Sequence, residues 1–221
     1  MGKNSDIKVK VTEDGSHTLF SERFGEHYHS FHGAIQESKH VFINAGLEDT
    51  SSTDLSILEI GFGSGLNALL SLIYGEENNL QIRYSAVELY PLKSAVIQGI
   101  NYPDILGFAE EYRLLHDGPW GESYNITGNF NLKKLEDNLA TMNFKDLYDL
   151  VYYDAFSPDI QPELWQTCIF EKVAKACNPG AVLTTYSAKG AVRRALQATG
   201  FEVERLPGPR GKREMIRAKK L

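Results

Sequence analysis

The chain has 221 residues, 42% of them hydrophobic, and a net charge of −6 at neutral pH, which suits one domain with a sizeable core. Its apolar runs are too short to span a membrane. The opening "MGKNSDIKVKV" lacks the apolar core of a secretory signal, and Cys168 and Cys177 form no Cys-x-x-Cys pair, so a reducing, cytoplasmic setting is expected. In chain order, "IKVKVTEDGSHTLFS" alternates around Asp14-Gly15 and predicts a hairpin. "HSFHGAIQESKHVFINAGL" predicts a helix stopped at Gly46, and the Ser/Thr/Asp-rich "EDTSSTD" then sets a boundary between an N-terminal extension (1–53) and the main domain (54–221). Strands and helices alternate from there. "LSILEI" is followed by the helix "GLNALLSLIYG", and "IRYSAVEL" by the helix "PLKSAVIQGINY" with Pro91 in its first turn. After an irregular stretch (104–130) come the strands "FNLKKLED" and "YDLVYYD", a helix from about Pro162 to Cys177, the strand "GAVLTTYS" and a helix from about Lys189 to Thr199.

Strands separated by helices predict a doubly wound α/β domain with a mainly parallel sheet. The end breaks that pattern. "GFEVERLPGPRGKREMIRA" holds two alternating runs joined by a Pro/Gly turn, an antiparallel C-terminal hairpin. This ordering resembles the Rossmann-like class I methyltransferases rather than the plain dinucleotide-binding fold. From Arg205 onward, seven basic residues face only Glu214, so this stretch carries +6 and leaves −12 for the rest. The overall acidity argues against nonspecific nucleic-acid binding, but the asymmetry creates a local anion-attracting face.

"ILEIGFGSGLN" places Gly61, Gly63 and Gly65 where the first core strand meets its helix, so the chain turns tightly and a ligand can approach bare backbone. The nicotinamide fingerprint needs glycine where Leu66 stands. With Glu59 two residues before the loop, the pattern resembles the S-adenosylmethionine loop, in which Glu59 answers the ligand's ammonium directly or through water. Glu88 closes the second strand, suited to ribose hydroxyls, and Asp137 closes the third, suited to the adenine amino group. In "YYDAFSP", Asp154 ends the fourth strand at the topological switch point. A carboxylate there can hold an amine, favour one rotamer and stabilise the ammonium that forms, while Phe156 and Pro158 wall out water. "DAFSP" is a loose relative of the Asp/Asn-Pro-Pro-aromatic loop of amino-group methyltransferases.

Four stretches, "FSERFGEHYHSFHGAIQESKHVFINAGL", "EIGFGSGLN", "YYDAFSPDIQPELW" and "TYSAKGAVRRALQATGFEVERLPGPRGKREM", occur in the same order as in the MnmC-like (MnmD) tRNA (5-aminomethyl-2-thiouridine) methyltransferase domains. The resemblance covers about residues 17–217. It implies S-adenosylmethionine-dependent methylation of the aminomethyl nitrogen on a tRNA wobble (thio)uridine. It puts Gly61, Phe62, Gly63, Gly65 and Asn67 in the cofactor loop, and Asp154 and Phe156 beside the reacting amine. Lacking a second glycine fingerprint, the chain resembles the stand-alone form, which receives an aminomethyl substrate made elsewhere. Arg193, Arg194, Arg210, Lys212 and Arg213 become candidates for phosphate contacts to an anticodon arm, and Trp120, Tyr124, Phe156 and Tyr186 for stacking on an unstacked base, with core packing the competing role of each aromatic. A small-molecule amine methyltransferase or related aminopropyltransferase is the alternative; the basic hairpin and "KREM" favour the RNA substrate.

"HYHSFH" sets His27, His29 and His32 at the spacing of a binuclear zinc hydrolase motif. Phe31 occupies the aspartate position and only His40 and His116 follow, so the ligand count fails and no metal is expected. His29 or His32 near a pocket mouth remains a candidate to assist proton release.

Overall fold

The computed structural model describes residues 7–221, so part of the opening segment read for a secretory signal lies outside the described residues. β1 (Ile7–Val11), β2 (His17–Ser21) and β3 (Glu26–His27) form a small antiparallel sheet. The expected hairpin is its first half. The helix expected from His29 begins only at α1 (Ala34–Ser38), because Ser30–Gly33 forms a turn with Gly33 at φ 144°; it then widens into a π-helical turn, Lys39–Asn44.

Eight strands make the main sheet: β4 (Asp54–Ile60), β5 (Gln81–Glu88), β6 (Ser123–Asn125), β7 (Phe130–Glu136), β8 (Tyr148–Tyr153), β9 (Cys177–Thr185), β10 (Phe201–Pro207) and β11 (Glu214–Lys220). Their spatial order is β10-β11-β9-β8-β4-β5-β7-β6. β7, β5, β4, β8 and β9 are parallel, whereas β11 runs antiparallel to β9, and β10 to β11, as the C-terminal hairpin predicts.

Both faces are covered, and the strands alternate between two cores. Leu55 and Ile57 of β4 and Leu150 and Tyr152 of β8 face the core that includes α2 (Leu66–Asn78); Leu58, Ile60, Val151 and Tyr153 face the other. That second core receives α6 (Thr167–Lys175) and α7 (Gly190–Ala198). The N-terminal extension joins the first through Phe42, whose ring lies 5.2 Å from that of Tyr152. Deleting so large a buried side chain leaves a cavity, so Phe42→Ala is expected to cost about 3–5 kcal/mol, read as a lower denaturation midpoint.

Two further helices differ from expectation. The helix expected to begin at Pro91 is replaced by two short ones, α3 (Ser94–Ile97) and α4 (Tyr102–Leu106), the second with Pro103 in its first turn; α5 (Ala109–Asp117) and β6 then occupy the stretch read as irregular. The Pro162–Cys177 helix divides into a 3-10 turn, Pro162–Trp165, and α6. Gln166 between them is extended, and Cys177 already belongs to β9.

Candidate active site

Register builds the site. Ile60 of β4 pairs with Val87 on one side and Tyr153 on the other, so Gly61, Glu88 and Asp154 leave the sheet level with one another at its carboxyl edge. Connections depart in opposite directions from β4, to β5 on one side and from β8 on the other, which opens a crevice above it. A cavity of about 640 Å³ occupies this crevice, lined by Gly61–Ser64, Asn67, Glu88, Asp137, Asp154 and Phe156. Its roof comes from the N-terminal extension: Phe24 and Tyr28 bring their rings within 4.6 and 5.0 Å of Phe156, and Ser157 N donates to Glu26 Oε2 at 3.2 Å.

The glycine loop is shaped for close approach. Gly61 has φ 93°, and a Cβ there would stand 2.6 Å from the Asp154 carbonyl oxygen. Gly63, at φ 49°, donates its N–H to Glu88 Oε2 at 3.0 Å, and Tyr90 N donates to Glu88 Oε1 at 2.8 Å. Glu88 is thereby held in place in the cavity wall, with lone pairs still free. Burial raises its pKa above the usual carboxylate range, against the pull of those two N–H groups. Asp137 is exposed at the cavity rim and accepts from Asn138 N at 2.7 Å. Gly65 lies on the far side of the turn, facing His116.

Glu59 departs from its expected role. It lies two residues inside the sheet edge, fully buried, and faces α2 rather than the cavity. Desolvation pushes its pKa well up, and Asp154 and Glu88 add to the rise. The Asn67 amide joins it to the site: Nδ2 donates to Glu59 Oε1 and to Asp154 Oδ2, both at 2.9 Å. With both N–H bonds engaged, Asn67 Oδ1 is left buried without a partner in the cavity wall. Asp154 is pushed up to about 7, chiefly by burial, with Asn67 opposing, Glu37 adding and Lys212 opposing.

The basic candidates divide. Arg194 and Arg213 are exposed and Arg193 is half-buried, whereas Arg210 pairs with Glu13 at 3.0 Å. Lys212 is half-buried, its side chain 35% exposed. It lines the cavity, 2.6 Å from Glu37 Oε1 and 3.9 Å from the centroid of Tyr186. Of the aromatics, Phe156 and Tyr186 line the cavity, but Trp120 and Tyr124 do not. They pack around the buried Lys134 ammonium of the adjoining strand β7, 5.1 and 5.8 Å away.

The histidines separate too. His29 is buried, 3.3 Å from Ser64 Oγ, and burial lowers its pKa to about 4, so it is neutral; His32 pairs with Glu13 outside the cavity. Among the described residues no group of three or more His, Cys, Asp or Glu is placed to hold a metal ion. Glu37 was missed by sequence reasoning. The signal was a lone acid within the buried stripe Ala34, Ser38, Val41.

A family model described as S-adenosyl-L-methionine-dependent methyltransferase matches residues 124–221. Over 90% of its length the chain is 31% identical to the tRNA 5-methylaminomethyl-2-thiouridine biosynthesis bifunctional protein MnmC of Ralstonia nicotianae, and over 90% it is 32% identical to that of Campylobacter hominis. Over nine-tenths of its length the chain is thus similar to MnmC proteins, and its C-terminal part matches the methyltransferase family model. It spans about a third of the length of these curated relatives, 32% and 31% respectively. The crystal structure of MNMC2 from Aquifex aeolicus, 28% identical, matches 98% of this chain and 70% of that one with a TM-score of 0.81. Spermidine synthase from Thermotoga maritima, 13% identical, matches 97% of this chain and 69% of that one at 0.62, a likeness of fold alone.

The acceptors in the cavity fit the group that the matching methyltransferase family uses. S-adenosylmethionine carries an ammonium, ribose hydroxyls and an adenine amino group, all donors. The unpartnered Asn67 Oδ1, Glu88 and Asp137 are acceptors spread along the cavity beside bare glycine backbone.

Proposed function

We propose that this chain transfers a methyl group from S-adenosylmethionine to the amine of 5-aminomethyl-(2-thio)uridine at the tRNA wobble position, giving 5-methylaminomethyl-(2-thio)uridine. The observation that carries the reading is Asp154, fixed by Asn67 at the switch point between an acceptor-lined glycine loop and an aromatic wall. Asn67 and Glu88 hold S-adenosylmethionine, which supplies an activated methyl when bound; Asp137 completes the adenine end. Asp154, as carboxylate, accepts a hydrogen bond from the incoming amine, fixes its lone-pair direction and stabilises the positive charge that develops on nitrogen. Phe24, Tyr28 and Phe156 keep water out and tolerate a cation at their faces.

In this reading the described part of the 1–53 extension, from residue 7 on, serves as the roof and 54–221 as the catalytic domain, and the setting is the cytoplasm. Among the described residues no helix is long and apolar enough to cross a membrane. Arg193, Arg194, Arg210 and Arg213 position an anticodon arm through its phosphates. The names of the MnmC relatives support the tRNA substrate.

The test is label transfer from S-adenosylmethionine into two tRNA pools, one bearing the 5-aminomethyl wobble uridine and one lacking it. Label in the first pool alone is expected. Label in neither, from protein that binds the cofactor, moves the assignment to a small amine.

A further inference from the structure

We infer that Lys212 is the specificity residue of the acceptor pocket, its ammonium donating to the 4-oxo group of a 5-substituted uracil and rejecting the matching cytosine. This rests on the proposed amine-methyltransferase reading of the same cavity. Lys212 belongs to the loop between β10 and β11 and is held there from two sides. Glu37 Oε1 lies 2.6 Å from its Nζ, and the Tyr186 ring carries it at 3.9 Å. Glu37 is fixed in turn: its other oxygen accepts from Ser30 N at 2.6 Å, and only 7% of its side chain is exposed. It therefore sets the ammonium's position and does not follow it.

Tyr186 connects this pair to the reacting end. Its hydroxyl donates to the Ala155 carbonyl at 2.8 Å, so one ring both carries Lys212 and steadies the loop that leaves Asp154. Taking the Glu37 carboxylate out of water to hold a cation costs desolvation that packing alone would not require, which points to a use for the cation beside it. An ammonium has three donors. One serves Glu37 and one side rests on the ring, which leaves capacity toward the cavity that Lys212 lines.

On a pyrimidine, position 4 adjoins position 5. Of the two ring positions that flank position 5, only position 4 carries a polar substituent, so that substituent is the partner on offer to a cation lining the same cavity as the carboxylate that holds a 5-aminomethyl nitrogen. Uracil presents an acceptor oxygen there and cytosine an amino donor. A fixed ammonium attracts the first and repels the second.

The experiment uses two anticodon stem-loop RNAs that differ only at the wobble base, 5-aminomethyluridine or 5-aminomethylcytidine. Label uptake from S-adenosylmethionine is measured with wild type, Lys212→Met and Lys212→Arg. Wild type should prefer the uridine RNA by about 100-fold or more, since a site built to pair one polar group strongly rejects its opposite. Lys212→Met should lose about 10- to 100-fold in kcat/KM on that RNA, mostly through KM, while the preference falls below about 5-fold and cofactor affinity stays within about twofold. Lys212→Arg should restore part of the preference. A Lys212→Met protein that keeps the preference overturns the assignment, as does wild type that methylates both RNAs equally. So does a Lys212→Met protein that no longer binds S-adenosylmethionine, which would mark Lys212 as structural. Each of these leaves the proposed function standing. Wild type that labels neither RNA removes the proposed function and this inference together.

Discussion

Asp154→Asn is expected to lower kcat by about two to four orders of magnitude, with S-adenosylmethionine affinity changed by less than about threefold. The substitution keeps the shape of the side chain that ends β8 and receives Asn67 Nδ2 at 2.9 Å. It removes the charge that stabilises a forming ammonium. Because burial, reinforced by Glu37, pushes Asp154 up to about 7, the wild-type kcat/KM should climb with pH through that value, and this limb should vanish in the variant.

Stability should respond in the opposite sense. A carboxyl raised from its ordinary 3.8 to about 7 contributes stability that is fully present below the lower value and lost as pH rises through the higher. The asparagine variant should therefore melt higher than wild type at pH 8, with the difference shrinking as pH falls toward 4. Wild-type turnover by Asp154→Asn would take the carboxylate out of the chemistry.

Gly61→Ala is the second large effect. Its φ of 93° is strained for any residue with a Cβ, and that Cβ would lie 2.6 Å from the main-chain oxygen of Asp154. A backbone neighbour cannot rotate away, so the ends of β4 and β8 must separate. The expected result is a loss of about 2–4 kcal/mol in unfolding free energy together with at least about 100-fold weaker cofactor binding. Gly63→Val offers a contrast. At φ 49° the valine is strained as well, but its neighbour is the Tyr28 side chain, 3.1 Å from the added Cβ, which can turn away, so cofactor binding should be lost while the ends of β4 and β8 stay together. Calorimetric titration beside a denaturation curve separates the two outcomes.

The parallel strands, the glycine loop and the C-terminal hairpin were legible because each is written locally: β-branched runs, a Gly-x-Gly-x-Gly turn, a Pro/Gly junction. Glu88 and Asp154 were legible for the same reason, since a carboxylate ending an apolar strand has few places to go. Glu59 was not. Its place two residues before the loop could be read, but not that Asn67 of α2 takes its side chain on the buried face of the sheet. The helix expected at Pro91 failed because Gly99 and Pro103 divide it, and the apolar spacing carried no sign of which side of the break would dominate. Trp120 and Tyr124 could be read as core or as stacking aromatics, and Lys134 between them is what the sequence did not announce. Lys212 counted as one more basic residue until Glu37, 175 positions away, was found against it.

That separation also bears on how the protein matures. The ion pair closes a loop over nearly the whole chain, among the most non-local contacts in the fold. A nascent chain released from synthesis up to β9 already holds the glycine loop, Glu88 and Asp154. Its Glu37 has no cation, and the edge of β9 that β11 covers is open. On the proposed assignments, the residues for the methyl donor are made early and the cation that chooses the acceptor comes only with the final hairpin.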